Sequence, residues 1–313
     1  MTTVELAAPY TPEWFAARRK GIGASEIAAV MGISPWESPL SLYWRKVNGW
    51  ELEATEEMRT GTILEPAIAQ WGIAEISDRM WEAVDSCPAA PLMAEPECPW
   101  ILATPDRLIR TDHPSGYGTD LVAVLECKWT GSWDGWGEEG TDAIPVYYRT
   151  QVLWQCLVVN VDRWYLAVLG PSGFRLYRGR YDAKDLAVMV EHGRRFMQRL
   201  ADGDPPPLDD HHATITTLRR LHPELVDEQA TVPDRIAEGY LRAVRMEKLA
   251  ETTRKRYEAL IRDAAGSART VVSESGRKVA THVIADVAAE TQPRGPHRKD
   301  YLLAPRPRKK STP

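Results

Sequence analysis

Short apolar runs alternate with amphipathic stretches along most of the chain. Residues 122–125 (VAVL) are β-branched or aliphatic, which predicts a buried strand. Further strands are predicted over residues 100–103, 107–110, 164–169 and 174–180, the last two as a hairpin around Pro-Ser-Gly. Helical spacing is present over residues 12–20, 25–31, 39–47, 61–78, 145–159 and 182–201. The pattern therefore predicts strands in the middle of the chain with helices on either side of them.

The segment DGDPPPLDD, residues 202–210, interrupts this pattern because its prolines and aspartates cannot continue a helix. Beyond it, residues 233–265 have helical spacing over about 50 Å, and residues 270–285 alternate like a hairpin. The basic tail, residues 294–310, could touch phosphates or remain an unstructured end. The predicted parts are a core domain over 1–205, a linker over 206–232 and a C-terminal helix-plus-hairpin extension over 233–313.

Composition narrows the classes of function. The net charge is −5, so a nucleic-acid partner would have to meet local basic patches. No apolar run of about 18 residues and no secretion signal are visible, which predicts a cytoplasmic protein without a membrane span. The four cysteines contain no CxxC pair, which argues against disulfides, zinc or an iron–sulfur cluster. His211 and His212 lack ligand spacing and are expected in the exposed linker.

Two charged residues, Glu126 and Lys128, follow the buried run directly. Because side chains alternate along a strand, both share a face with Val124, while Leu125 and Cys127 face the other way. Burying unpaired charges costs several kcal/mol or more, so this pair needs partners. A simple ion pair is one explanation for it.

Asp106 offers a second explanation, because it follows Thr104-Pro105 where one predicted strand ends and the next begins. An Asp and a Glu that converge at adjacent strand ends make an oxygen site for a hard divalent cation. The main-chain carbonyl of Cys127 could add a ligand, and Lys128 would face a bound water. Ordinary turn chemistry also accounts for an Asp after Pro, so both explanations stay open at this point.

Five sequence stretches, in this order along the chain, favour the cation site over an ion pair or ordinary turn chemistry. They are RRKGIGASEIAAVMGISPWESPLSLYWRKVNG, GTILEPAIAQW, ATPD, LECK and IPVYYRTQVLWQCLVV. ATPD and LECK fit the PD-(D/E)xK nuclease signature, and the whole set, from about Trp14 to Leu200, resembles the phage lambda exonuclease family in its YqaJ-type viral recombinase branch. The resemblance implies an α/β (α+β) fold with a restriction-endonuclease-like core, in which helices flank a central mixed sheet.

The resemblance also implies roles for residues that match its motifs. Asp106 and Glu126 would bind metal, and Lys128 would orient and help to deprotonate the attacking water. Glu65 would add to the metal centre, with the following proline placing it near a helix N-terminus. Gln151 would contact the substrate or the water. Without the resemblance, Glu65 is equally a helix-dipole partner and Gln151 part of an exposed helix face.

The same resemblance implies a pocket for the 5′-phosphate of a DNA end, formed by Arg18 and Ser25, with Thr104 as a further contact. Arg18 would supply a bidentate cation, and Ser25 would lie at a helix N-terminus with free N–H groups. An ordinary glycine turn also explains the GxGxS pattern. Arg19 and Lys20 are adjacent, so the sequence does not decide which base makes the contact.

The implied activity is Mg²⁺-dependent 5′-to-3′ exonuclease action on linear duplex DNA ends, which leaves 3′ overhangs for phage-type homologous recombination. Two Mg²⁺ ions, with Mn²⁺ as a substitute, would occupy each site, and a single-strand annealing protein would be the partner. The family forms rings around DNA, which leaves a ring-shaped trimer open for this chain. The alternatives are a Cas4-like or RecB-like nuclease of different polarity, and a non-catalytic protein that binds DNA ends or partners on a nuclease fold.

Overall fold

A computed structural model of the chain describes residues 4–5, 11–51, 54–80, 84–88, 92–93, 98–112, 119–224 and 226–284. The chain divides into two compact units, Met1–Pro223 and Glu224–Pro313. The basic tail predicted at residues 294–310 lies outside the described residues, as does part of the loop between Asp106 and Glu126.

The first unit contains seven helices and nine strands within the described residues. The helices are α1 (Pro12–Arg19), α2 (Ile27–Val30), α3 (Pro39–Asn48), α4 (Glu56–Met80), α5 (Val146–Val159), α6 (Ala183–Asp202) and α7 (His212–Leu221). The strands are β1 (Val4–Glu5), β2 (Ile22–Gly23), β3 (Val84–Pro88), β4 (Leu92–Met93), β5 (Ile101–Ala103), β6 (Arg107–Asp112), β7 (Thr119–Trp129), β8 (Arg163–Gly170) and β9 (Gly173–Arg180).

The strands form two sheets. The larger sheet has the order β3-β6-β7-β8-β9, in which β7 and β8 are parallel and the other neighbours antiparallel. The smaller sheet has the order β1-β4-β5-β2, with β2 and β5 parallel. The predicted α/β fold, with a mixed central sheet flanked by helices, is therefore confirmed.

The central strand β7 is buried on both faces. Val124 packs into the cluster that includes the apolar face of α5, whereas Leu125 and Cys127 pack into a second cluster with α4. Gly72 lets α4 approach closely, since a Cβ at this position would lie 3.0 Å from the Cβ of Ala167 in β8. The alternation predicted for residues 124–127 thus places Glu126 on the side of α5.

The site lies at a fork, the place where the chain leaves the smaller sheet and enters the larger one. β5 ends at Ala103 in one sheet and β6 begins at Arg107 in the other, so Thr104-Pro105-Asp106 spans the gap. The register of β7 with β6 runs up to Arg107↔Leu125, whereas its register with β8 continues to Trp129↔Leu169. Glu126 and Lys128 therefore lie inside β7, where the strand separates from β6.

Several predicted helix ends are confirmed. The Thr11 hydroxyl accepts from the N–H of Trp14 at 3.3 Å and caps α1, as predicted. Asp182 caps α6 through the N–H of Lys184 at 2.7 Å, and Pro145 precedes α5. The helix predicted over 61–78 instead begins at Glu56, so its proline, Pro66, lies in the helix interior.

The region predicted as a linker differs most from expectation. Its first part contains α7, and the first unit continues to Pro223, beyond the predicted boundary at residue 205. Polar contacts hold α7 against the region of α3, since the Thr214 hydroxyl lies 2.7 Å from that of Ser38. His211 is not an exposed linker residue, because its Nδ1 accepts from Ala213 N–H and its Nε2 lies 3.1 Å from the Ser34 carbonyl.

Within its described residues, the second unit contains α8 (Asp234–Ala265) and a hairpin of β10 (Thr270–Val272) and β11 (Lys278–Thr281), as the sequence predicts. None of the residues of α8 is buried. Among all described residues of the chain, no helix is long and apolar enough to cross a membrane.

Candidate active site

Glu126 forms the centre of a polar cluster beneath the fork. Its side chain is 3% exposed and takes hydrogen bonds from two sides. Lys128 Nζ and Gln151 Nε2 donate to Oε1, the latter at 2.5 Å, and Gln155 Nε2 donates to Oε2 at 2.6 Å. The i, i+4 spacing of the two glutamines places both amides on one face of α5. The buried carboxylate is thus held in one orientation.

Asp106 reaches the same place from the start of β6. Its Oδ2 accepts from the main-chain N–H of Cys127 at 2.8 Å, which ties the turn to β7 where the ladder with β6 has ended. Burial raises the pKa of Asp106 well above its usual range, and the negative charges of Glu126 and Glu65 raise it further. Lys128 and the Cys127 N–H oppose this shift without cancelling it. The surroundings of Asp106 therefore disfavour its charged form.

Lys128 lies between the carboxylates and an aromatic ring. Burial lowers the pKa of Lys128, but the charges of Glu126 and Asp106 outweigh it, so the pKa is raised above the ordinary value. Its Nζ lies 5.5 Å from the ring centroid of Tyr148. In this arrangement Lys128 is an ammonium group that can donate hydrogen bonds and stabilise negative charge.

Glu65 lies at the edge of the cluster, on α4. Arg107 Nη1 donates to Glu65 Oε1 at 3.1 Å and to the main-chain carbonyl of Asp106 at 2.5 Å, so this arginine bridges the two carboxylate residues. The prediction that Glu65 lies near a helix N-terminus is wrong, because α4 begins at Glu56, two to three turns earlier. A helix dipole therefore does not account for Glu65.

The donor set fits a hard divalent cation. Its groups are carboxylate oxygens, which Mg²⁺ and Mn²⁺ prefer. Burial, and then the charges of Glu126 and Glu65, raise the pKa of Asp106, and a cation at this place would favour its charged form. Among the described residues, no three Asp, Glu, His or Cys side chains are grouped so that they alone could hold a metal ion. Asp106 and Glu126 are the pair best placed to bind the ion, while Glu65 is engaged by Arg107.

A small cavity adjoins this cluster. Its volume is about 70 Å³, room for several water-sized groups, and it is bounded on one side by Gln151 and Gln155. The three residues predicted to hold a terminal phosphate also line it, namely Arg18, Ser25 and Thr104. Residues from α1, the β2–α2 turn and the end of β5 therefore meet the two glutamines that hold Glu126.

Arg18 is the base that reaches the cavity. Its Nη2 lies 3.3 Å from the Ser25 hydroxyl, and its guanidinium lies 4.6 Å from the ring of Trp14. Gly23 leaves room for it, since a Cβ there would approach Nη2 to 3.2 Å. Arg19 instead packs against Gly49, and of the three adjacent bases, Arg18, Arg19 and Lys20, Arg18 is the one that lines the cavity.

The helix following Ser25 is shorter than the sequence suggests. α2 has four residues and begins at Ile27, with Glu26 at the N-cap position. The predicted anion site at a helix N-terminus is therefore not formed, and Ser25 presents its hydroxyl from an exposed turn. Arg18 supplies the positive charge of the cavity.

The sequence did not indicate a buried ionic network behind Arg18. Its centre is Glu26, 2% exposed, whose carboxylate binds Lys46 Nζ at 2.8 Å, Arg45 Nη2 at 2.8 Å and Arg18 Nη2 at 3.3 Å. Lys46 also donates to the carbonyls of Arg18 and Gly21. Burial raises the pKa of Glu26, but these cations outweigh it and hold the pKa well below its usual range. Arg45 and Lys46, which are adjacent in a predicted helix, are the sequence feature that could have indicated this network.

Three of the four cysteines, Cys98, Cys127 and Cys156, are free thiols. The Cys127 side chain faces the α4 side of β7, and burial raises its pKa, as do the charges of Asp106 and Glu126. The side chain of Cys87 lies outside the described residues. The cysteines at the centre of the fold are therefore core thiols.

Comparison with known families agrees with the motifs. Residues 13–162 match the model of the YqaJ-like viral recombinase domain, and every predicted site residue lies within this stretch. This match to residues 13–162 confirms the resemblance seen in the sequence. It is also 29% identical over 201 residues to the uncharacterized protein YqaJ of Bacillus subtilis (strain 168), covering 63% of this chain and 51% of that protein. The chain thus spans about half the length of this curated relative.

Two solved structures resemble the chain more distantly. An alkaline exonuclease (LHK-Exo) from Laribacter hongkongensis is 20% identical, with a TM-score of 0.45 over 69% of this chain and 100% of that one. A phage-related exonuclease from Haemophilus somnus 129PT is 12% identical, with a TM-score of 0.40 over 58% of this chain and 94% of that one. Likeness at this level carries no conclusion about activity.

Proposed function

We propose that this chain, whose residues 13–162 match the YqaJ-like viral recombinase domain, is an Mg²⁺-dependent exodeoxyribonuclease. It digests linear duplex DNA from 5′-phosphorylated ends in the 5′-to-3′ direction and leaves 3′ single-stranded overhangs. These overhangs would feed phage-type homologous recombination in the cytoplasm of the host cell.

One observation carries the proposal. The Asp106–Glu126–Lys128 cluster adjoins a cavity lined by Arg18, and Gln151 belongs to both places. A nuclease that starts from a DNA end needs a scissile-phosphate site and an anchor for the terminal phosphate at a short, fixed separation. The two neighbouring sites meet this requirement.

Asp106 and Glu126, with the main-chain carbonyl of Cys127, would hold a divalent cation, and Glu65 would contribute to a second one. When bound, such cations polarise the scissile phosphate and lower the pKa of a bound water. For Glu65 to take part, it would have to use the oxygen that Arg107 does not bind, or give up the contact of its Oε1 with Arg107 at 3.1 Å. Glu65 is thus the least prepared member of the proposed metal site.

Side chains of this chain would surround the scissile phosphate and stabilise its charge. Lys128, an ammonium group, donates to a phosphate oxygen and stabilises the negative charge that develops during attack. Gln151 and Gln155 hold the carboxylate of Glu126 so that its oxygens stay aligned. This preorganisation avoids reorientation of the charged groups during the reaction.

The terminal phosphate would bind in the cavity, where Arg18 provides two N–H groups and Ser25 and Thr104 provide hydroxyls. Glu26 and Trp14 hold the guanidinium of Arg18 in advance. The anchor therefore depends on one arginine that the fold has already oriented.

The proposals about a partner protein and about the oligomeric state rest on the family resemblance alone. A single-strand annealing protein would be the partner in recombination. A ring-shaped trimer would keep the enzyme on its DNA. Size-exclusion chromatography with light scattering tests the trimer directly.

Digestion of end-labelled duplexes tests the proposal. Linear duplexes with a label at the 5′ or the 3′ end, with and without a 5′-phosphate, are incubated with the protein in Mg²⁺. We expect early release of the 5′ label and faster digestion of phosphorylated ends. Release of the 3′ label first would favour a nuclease of the opposite polarity, and DNA binding without digestion would favour a non-catalytic end-binding protein.

A further inference from the structure

Trp36 is an exposed aromatic residue in the loop between α2 and α3. Its side chain is 63% exposed, although large aromatic side chains are usually well covered in a folded protein. The loop beneath it is held in place, since the N–H groups of Trp36 and Glu37 both donate to the Ser34 hydroxyl at 3.2 Å. The ring is therefore presented from a fixed position.

Two tyrosines of α5 connect this ring to the candidate active site. Trp36 meets Tyr147 edge to face, with ring centroids 4.9 Å apart, and Tyr148 at 5.8 Å. The ring of Tyr148 in turn lies 5.5 Å from Lys128 Nζ. The aromatic surface formed by the exposed Trp36 and the half-buried Tyr147, called the platform below, is thus connected through Tyr148 to the candidate catalytic lysine.

The platform and the phosphate cavity lie toward opposite ends of one helical face. Tyr148, Gln151 and Gln155 follow each other along α5 at spacings of three and four residues, which places them on one side of the helix. Gln151 and Gln155 line the cavity, and Tyr148 lies about 5 Å and 10 Å from them along the axis, at 1.5 Å per residue. Glu126 accepts hydrogen bonds from both glutamines, beside the cavity.

We infer that Trp36, supported by Tyr147, is a stacking platform for a nucleobase of the DNA strand, at the Tyr148 end of this face and away from the Gln155 end of the phosphate cavity. The inference rests on the proposed function and adds to it a contact that none of the quoted motifs assigns. Stacking suits an enzyme that must accept any sequence, because every base has a π-face. A nucleobase is the occupant favoured by continuity with Lys128, in preference to a second copy of the chain.

Three substitutions of Trp36 distinguish aromatic stacking on a base from simple apolar contact. Trp36→Ala removes the ring, Trp36→Phe keeps an aromatic face, and Trp36→Leu keeps apolar bulk without one. Trp71→Ala is the matched control, because Trp71 is also exposed, at 48%, and stacks on Phe174 with centroids 4.6 Å apart. It belongs to α4, on the other side of the central sheet from α5.

Binding is measured in EDTA, where Mg²⁺-dependent digestion is blocked, with a 5′-phosphorylated linear duplex that carries 2-aminopurine near its end. We expect Trp36→Ala to weaken binding about 5- to 100-fold and to reduce the change in 2-aminopurine fluorescence. Trp36→Phe should recover most of the affinity, Trp36→Leu should not, and Trp71→Ala should match the wild type. In Mg²⁺, the same order should appear in KM.

Several results would overturn the inference while leaving the proposed function intact. If the wild type digests DNA and Trp36→Ala binds and digests equally well, the platform does not contact DNA. Full recovery with Trp36→Leu would show apolar cover in place of stacking. Altered self-association with unchanged DNA affinity would assign the surface to a second copy of the chain. If the wild type itself fails to digest linear DNA, it is the proposed function that fails.

Discussion

Glu26→Gln tests the buried network that orients Arg18. Each carboxylate oxygen of Glu26 accepts from two donors: Oε2 from Gly23 N–H and Lys46, and Oε1 from Arg45 and Arg18. A glutamine amide would present its NH₂ group to two of these donors whichever way it turned. The substitution therefore removes a charge and also creates a clash between donors.

The expected loss of stability is large. Lys46, whose side chain is 2% exposed, would lose its ionic partner, and its pKa, which burial already lowers, would fall further. Removing one member of a buried ion pair costs about 3–5 kcal/mol, because the other charge remains buried. A domain of ordinary stability, about 5–15 kcal/mol, would lose at least about a fifth of it. Arg18 would also lose a fixed partner, so binding of 5′-phosphorylated ends should weaken.

The loss should depend on pH. Burial raises the pKa of Glu26, but Lys46, Arg18 and Arg45 outweigh it and hold the pKa well below the usual range. A carboxyl whose pKa is lower in the folded than in the unfolded state stabilises the protein fully at pH values above its unfolded pKa, about 4.3. This stabilisation is lost as the pH falls through the pKa of the folded state. The difference between wild type and Glu26→Gln should thus be full at pH 7 and shrink below about pH 4.

Urea unfolding followed by tryptophan fluorescence measures the effect. Glu191→Gln is the matched control, because Glu191 also binds two arginines, Arg194 at 2.9 Å and Arg195 at 2.6 Å, but does so on the exposed surface of α6. We expect little change for Glu191→Gln, since water screens such pairs. If Glu26→Gln proved as stable as Glu191→Gln at pH 7, the proposed role of the buried network would be refuted.

Four further outcomes follow from the same geometry. Lys128→Ala should abolish Mg²⁺-dependent digestion of linear duplex while DNA binding stays measurable, and retained digestion would remove Lys128 from the mechanism. Asp106→Asn should weaken Mn²⁺ binding at least tenfold by calorimetry, because it removes one of two central carboxylates; unchanged affinity would move the metal elsewhere. Arg18→Ala should erase the preference for 5′-phosphorylated ends in a digestion assay, whereas a kept preference would exclude the cavity as the anchor. A fragment ending at residue 223 should melt higher than one ending at 205, measured by circular dichroism, because α7 packs on the region of α3.

The sequence was informative wherever periodicity and local chemistry agree. The alternation around Glu126 placed it correctly on one face of a strand buried on both sides, and the Thr11-Pro12 and Asp182 caps marked helix starts that the structure has. The residues predicted to hold a phosphate are far apart in the chain, yet they line one cavity. Local sequence patterns therefore predicted most of the helices and strands of the fold.

Long-range contacts account for what the sequence did not show. Pro66 suggested a helix start because proline suits the first turn, but α4 accommodates it in its interior. α7 was missed because its stabilising contacts, such as Thr214 with Ser38, join residues distant in sequence. The same holds for Glu26, whose partners Arg45 and Lys46 come from another helix. No local window contains such pairs.

The central claim is that Asp106, Glu126 and Lys128 form a metal-dependent site that acts from DNA ends. The most direct measurement incubates the purified protein with a linear duplex and with the same sequence as a closed circle, each with Mg²⁺ or EDTA. We predict that the linear DNA is shortened in Mg²⁺ alone and that the circle stays intact. Linear DNA that stays intact in Mg²⁺, or a circle that is cut as readily, would contradict the account.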